Sequence, residues 1–182
     1  GLRWTCGPKF ARSHEHFSSM SGMVTAGGRV FYIIDEGPIS SVYLPPKWKL
    51  VARDAFSGVL LWDLPITNWE AHLRGFRSGP PEIGRRLVAM GDRVYVALDC
   101  GEPVMVLDAA TGERRWAKRG FGKGSLVAAG EMLFVLGDGG LAALVHADPQ
   151  GYREAGRMQL TEGGRAWTEP SVVGGRLLVD GA

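Results

Sequence analysis

One short motif, written twice, limits what this chain can fold into. Residues Val106 to Trp116 read Val-Leu-Asp-Ala-Ala-Thr-Gly-Glu-Arg-Arg-Trp. Residues Ala52 to Trp62 read Ala-Arg-Asp-Ala-Phe-Ser-Gly-Val-Leu-Leu-Trp. Both spell strand, tight turn, strand. Asp54 and Asp108 open the turn, because an aspartate side chain accepts hydrogen bonds from the backbone just ahead of it. Gly58 and Gly112 close it, where glycine tolerates positive φ. An indole, Trp62 or Trp116, follows four residues later in each copy. Self-similarity of this kind identifies a repeat architecture before any other signal does.

A second element precedes each turn. It runs Val24 to Tyr32, Val88 to Val96, Val127 to Val135 and Ser171 to Val179. Each copy is an apolar stretch, a glycine-led pair, and a second apolar stretch, the pattern of a β-hairpin. The aligned glycines Gly27, Gly91, Gly130 and Gly174 lie 64, 39 and 44 residues apart. Spacings near about 40–45 residues suit one four-stranded propeller blade. The longer first spacing carries two insertions, residues 37–48 and 68–84. The units are then 20–66, 85–119, 124–161 and 167–182. In the third unit Asp148-Pro-Gln-Gly151 makes the turn, and counting four residues from Gly151 puts Ala155 where the Trp would stand. The fourth unit ends after two strands, so the chain reads as part of a ring, or as one whose remaining strands come from elsewhere. No segment keeps a helical period, so the expected fold is all-β: propeller blades of four antiparallel strands, about three and a half to four of them.

Asp108 to Trp116 resembles the pyrroloquinoline-quinone-type propeller repeat, Asp-Ala-x-Thr-Gly-x-x-x-Trp, at every position. Asp54 to Trp62 departs from it at Phe56 and Ser57. With the weaker copies the resemblance covers roughly residues 20 to 182. It implies a ring of seven or eight blades in which Trp62 and Trp116 dock between neighbouring blades over the turn glycines Gly58 and Gly112. These four residues are then structural. The long Pro-rich insertions are similar to those of uncharacterised bacterial propellers of this type, and the resemblance implies an extracytoplasmic location, periplasmic or secreted. It extends to catalytic quinoproteins, which pair the quinone with calcium, and to outer-membrane assembly propellers. No carboxylate and amide cluster stands out as a calcium cage, and Cys6 and Cys100 are not adjacent as in many such enzymes. The expected cofactor is therefore none, with pyrroloquinoline quinone and calcium the lesser alternative.

Composition excludes more than it assigns. The chain has 182 residues, 45% of them hydrophobic, and a net charge of +2. That suffices for a core and points to no charged partner. No basic run exceeds Arg85-Arg86 or Arg114-Arg115, so nucleic acid is not expected. No apolar run reaches the roughly 20 residues of a membrane span. Residue 1 is Gly, which implies a processed or cut N-terminus. The two cysteines, Cys6 and Cys100, either pair in an oxidising compartment or serve as small hydrophobes.

His14-Glu15-His16 sets two imidazoles on one face of an extended strand, a weak metal-chelating pattern. It lacks the second histidine spacing of zinc proteases, since position 18 is Ser. A polar strand or loop is the better explanation. Gly120 to Ser125 lacks phosphate-loop spacing, and no nucleophile elbow occurs. His146 sits in an apolar strand, as a core residue would. The insertions carry the functional expectation. Tyr43, Lys47 and Trp48 mark the first; Trp69, His72 and Arg74 mark the second. Aromatic and arginine side chains on long loops are typical of binding sites, although covering the propeller face would use the same residues. The expected function is a non-catalytic scaffold offering these loops to a protein, glycan or small ligand. The alternatives are part of a quinone-dependent oxidoreductase and an outer-membrane assembly propeller.

Overall fold

The computed structural model describes residues 1–6, 20–38, 40, 44–67, 86–98, 104–122, 124–137, 139–160 and 170–179. Among them every regular element is a strand. The first sheet holds β1 (Met20–Ala26), β2 (Arg29–Asp35), β3 (Trp48–Asp54) and β4 (Leu60–Ile66). The second holds β5 (Leu87–Met90), β6 (Arg93–Ala97), β7 (Val104–Asp108) and β8 (Arg114–Lys118). The third holds β9 (Ser125–Ala129), β10 (Met132–Leu136), β11 (Leu141–His146) and β12 (Glu154–Gln159). β13 (Ser171–Val173) and β14 (Arg176–Leu178) form a two-stranded fourth sheet. Each sheet is an antiparallel meander with its strands in chain order.

The first strands neighbour one another in sequence: β1 lies beside β5, β5 beside β9, and β9 beside β13. The sheets therefore fan from a shared inner edge, as propeller blades do. Burial follows this layout. β2 is buried from Val30 to Asp35 without alternation, because its sheet is covered on both faces. The outermost strands β4, β8 and β12 are mostly exposed.

The core lies between the blades. Phe31, Ile33, Leu50 and Ala52 of the first pack with Val94, Val96 and Leu107 of the second. Tyr95, Val104 and Val106 of the second pack with Leu133, Val135 and Val145 of the third. Successive strand residues face opposite sides, so each blade gives one row of side chains to each neighbour.

Register aligns the rows across blades. Phe31, Ala52 and Trp62 form one row; Tyr95, Val106 and Trp116 form the next. In the third blade the row is Phe134, Leu144 and Gly156. The position assigned to Ala155 by counting from the turn is thus held by Gly156. The turn explains the correction. The N–H of Asp108 bonds the carbonyl of Glu113, whereas that of His146 bonds Arg153, a loop two residues longer. Ala155 is the bulged residue between Glu154 and Gly156.

The two motif turns match the physical reading. The Asp54 carboxylate accepts from the backbone of Phe56 (3.0 Å) and Ser57 (2.7 Å) and from the Ser57 hydroxyl (2.8 Å). Asp108 accepts from Ala110 (2.8 Å) and Thr111 (2.9 Å). The N–H groups of Gly58 and Gly112 each donate 2.9 Å bonds to the carbonyl of their own aspartate.

Candidate functional site

Three tryptophans clamp neighbouring segments, and each does so by ring contact plus one hydrogen bond. Trp62 Nε1 donates to the Ala109 carbonyl at 3.1 Å. Its ring lies so close to Gly112 (φ 75°) that a Cβ there would sit 2.7 Å from Cδ2 of the indole. Trp116 Nε1 donates to the Asp148 carbonyl at 2.7 Å, and its ring meets Tyr152 edge-on at 5.8 Å. The third clamp is Trp4, which sequence reading passed over. Its Nε1 donates to the Ala55 carbonyl at 3.0 Å, and a Cβ on Gly58 would fall 2.6 Å from its ring. Trp4 treats Gly58 as Trp62 treats Gly112. A signal for it existed: Gly58 closes a motif turn, and a motif turn calls for an indole from the segment before it.

Around Trp4 the first blade presents Val30, Tyr32, Ile34 and Val51, all buried. Arg53 Nε donates to the Tyr32 hydroxyl at 2.9 Å, and Arg53 Nη1 to the Gly58 carbonyl at 2.8 Å. Cys6 is an exposed free thiol, 3.4 Å from the same hydroxyl. Burial, then the Cys6 contact, pushes the Tyr32 phenol above its ordinary value.

The first insertion springs from a closed neck. Asp35, at the end of β2, is 1% exposed. Its Oδ1 accepts from the backbone N–H of both Gly37 and Lys47, each at 2.8 Å. The N–H of Glu36 donates to the Lys47 carbonyl at 3.0 Å. Lys49 then bridges Glu36 (2.9 Å) and Asp63 (3.0 Å). The hydrogen bond to Glu36, followed by that to Asp63, raises its pKa. A buried carboxylate thus ties both ends of the loop to the blade.

The binding candidates fall in different places. Lys47 is exposed beside the neck. Trp48 is corrected: it belongs to β3, pairs with Asp35 and is 2% exposed within the core shared by the first two blades. The insertion therefore ends at Lys47, and this indole is packing rather than surface. Tyr43, Trp69, His72 and Arg74 lie outside the described residues, as do His14, His16 and Cys100. Among the described residues no three His, Cys, Asp or Glu side chains stand together as metal ligands.

The perturbed acids sit in local pairs. Arg115 holds the Asp108 carboxyl down to about 2. Glu154 is held at about 2 by Arg157 and then Tyr152, while burial and then Glu154 push the Tyr152 phenol to about 12. Each pair spans one turn or one strand end, so each reads as structural.

This geometry of stacked meanders and indole clamps agrees with what comparison finds. A family model described as outer membrane protein assembly factor BamB matches residues 46–179. The chain belongs to this family of PQQ-like propeller repeats. No curated protein matches it by sequence. Solved structures do match in fold. BamB from Moraxella catarrhalis superposes with a TM-score of 0.58 at 15% identity, over 87% of this chain and 39% of that one. The computationally designed protein Ika8 gives 0.60 at 14%, over 91% and 43%. A europium-containing methanol dehydrogenase gives 0.50 at 12%, over 84% and 26%. At such identities the likeness shows the PQQ-like fold alone. The chain spans less than half the length of each of these three. No helix among the described residues is long and apolar enough to cross a membrane.

Proposed function

We propose that this PQQ-like propeller segment is a non-catalytic binding scaffold that presents the loop between Glu36 and Lys47 to a protein partner. The neck carries the reading. Asp35, buried and doubly hydrogen-bonded to the two loop ends, fixes where the loop leaves a blade packed on both faces. Preorganised loops on rigid blades lose less entropy when they bind. The family description adds a class of setting, outer-membrane protein assembly outside the cytoplasm, and a protein partner suits that setting.

Leu44 is exposed on the loop at 37%, and Lys47 is exposed at its end. A photo-crosslinker at Leu44, in cells of the organism that makes the protein, is expected to give one dominant protein adduct. The same probe at exposed Arg119 should give none of it. Replacing residues 38–46 by a short Gly-Ser turn should leave the melting transition of the blades in place and abolish binding of the identified partner to the purified chain. Equal adducts from both positions, or full binding by the shortened protein, would remove the proposal.

A further inference from the structure

The hairpin turns of neighbouring blades meet at the first seam and part at the second. A Cβ built on Gly27 would lie 3.1 Å from the Gly91 carbonyl oxygen, whereas one on Gly91 would meet nothing within 4 Å. Between the second and third blades a cavity of about 390 Å³ opens at this end of the seam. Its lining is charged, unlike the apolar core beside it: Arg93, Glu131, His146, Asp148 and Arg153 all contribute. The third turn supplies that charge by departing from the motif. His146 pairs with Met132 where Asp108 pairs with Arg93, and its N–H bonds the Arg153 carbonyl as that of Asp108 bonds Glu113. The acidic neck Asp108–Glu113 of the second blade is thus His146–Arg153 in the third. Asp148 takes over the turn, its Oδ1 accepting from the Gln150 N–H at 2.8 Å. The half-buried His146 ring is thereby released from turn duty.

Several of these groups are unspent. Among the described residues neither the His146 ring nor the Glu131 carboxylate has a hydrogen-bond or ion-pair partner. Arg153 holds Asp148 only loosely, at 3.9 Å. Arg93 Nη1 donates to the Ala147 carbonyl at 2.6 Å, but its buried Nε faces Asp92 at 3.1 Å without hydrogen-bond geometry. Tyr95, two residues further along the same face of β6, is fully buried. Burial raises its phenol and the neighbouring Arg93 draws it back, yet the hydroxyl makes no hydrogen bond of proper geometry. The first seam carries Phe31 at this register position, a ring with no polar atom to satisfy. Buried polar groups in folded proteins are almost always paired, and an unpaired one costs about 1–3 kcal/mol. This seam therefore holds donors without an acceptor and, in Glu131, an acceptor without a donor.

We propose that this cavity binds a free α-amino acid as its zwitterion. Arg93, His146 and Arg153 donate to the carboxylate, and Glu131 accepts from the ammonium. The balance of charge selects a dipolar ligand. Two arginines stand against Glu131 and Asp148, so a simple anion or cation meets as much repulsion as attraction. A zwitterion meets both signs, and charge-assisted hydrogen bonds of this kind are the strong ones. The volume lies within the range of small-ligand sites. The cavity sits between the second and third blades, and the inference is independent of the role of the Glu36–Lys47 loop.

The probe is a mixture of the proteinogenic amino acids, added to the full chain and read by saturation-transfer NMR. At least one should receive saturation, and titrating it alone should shift the backbone amides of Glu131, Ala147 and Asp148. Calorimetry then compares that amino acid with its carboxamide and its N-acetyl derivative. Each derivative removes one charge and should bind at least about tenfold more weakly, the scale of one charge-assisted hydrogen bond. Glu131→Gln and His146→Ala should weaken binding by at least a similar factor while the melting transition stays in place, since neither side chain holds another part of the fold. Arg93 is left intact, because it also anchors the Ala147 carbonyl. Saturation of no amino acid, shifts centred elsewhere, or full affinity in both folded variants would overturn the proposal. So would equal binding of the N-acetyl derivative, which would make the occupant a simple carboxylate, or of the carboxamide, which would make it an amine.

Discussion

Replacing Gly112 by alanine asks two things of one residue. Its φ of 75° is a conformation that side chains disfavour, and its absent Cβ makes room for the Trp62 ring. Gly91, at φ 60°, has the first demand without the second, since nothing lies within 4 Å of a Cβ there. Denaturant melts should show Gly91→Ala costing about 1 kcal/mol and Gly112→Ala about 2–4 kcal/mol. Equal losses would mean that the indole yields freely. Asp108 supplies a pH test. Its folded pKa, about 2, lies below the ordinary 3.8. The folded state therefore favours the charged form, and the stabilisation is present above about pH 4 and lost as pH falls toward about 2. Asp108→Asn should lower the melting temperature at neutral pH, and its gap from the native protein should close across that acid window. A gap that stayed constant down to pH 2 would place the effect in the turn geometry rather than the charge.

Two elements depend on contacts distant in sequence. Residues 1–6 have no strand partner among the described residues, yet Trp4 covers the first motif turn and the buried side chains around it. Trp4→Ala should cost about 2–3 kcal/mol and raise hydrogen exchange in the Asp54–Gly58 turn. Asp35→Ala removes the acceptor for the Gly37 and Lys47 amides. Exchange at those two amides should rise sharply, while amides of the second blade stay protected; the expected cost is about 2–4 kcal/mol. Both elements were partly legible. The turn glycine announced that an indole was needed, and the insertion was visible as excess length. The neck was not, because an Asp at a strand end looks the same whether it faces water or closes a loop.

Across the molecule, stability is a chain of seams. Each blade touches only its neighbours, and Trp62 and Trp116 pack in different clusters. Their alanine variants should therefore add in the double mutant to within about 0.5 kcal/mol. Strong coupling, measured as a departure from that sum, would mean that the second blade transmits strain between its two faces. The third seam has Gly156 where the first two have an indole, so β13 and β14 should exchange faster than any strand of the first three blades.

Periodicity is a local property, and it settled the repeat and the all-β fold from the sequence alone, while the resemblance carried by the repeat implied the roles of Gly112 and Trp62. The chemistry of a turn or a strand is written in residues a few positions apart. Burial and register are not. Trp48 read as a loop aromatic and became core because Asp35, thirteen residues earlier, is its strand partner. Gly156 rather than Ala155 holds the indole position because the third turn is built to a different length, so Gly151 does not stand where Gly58 and Gly112 do. Only the assembled blades decided which side chains share a row and which of the seams carries an indole.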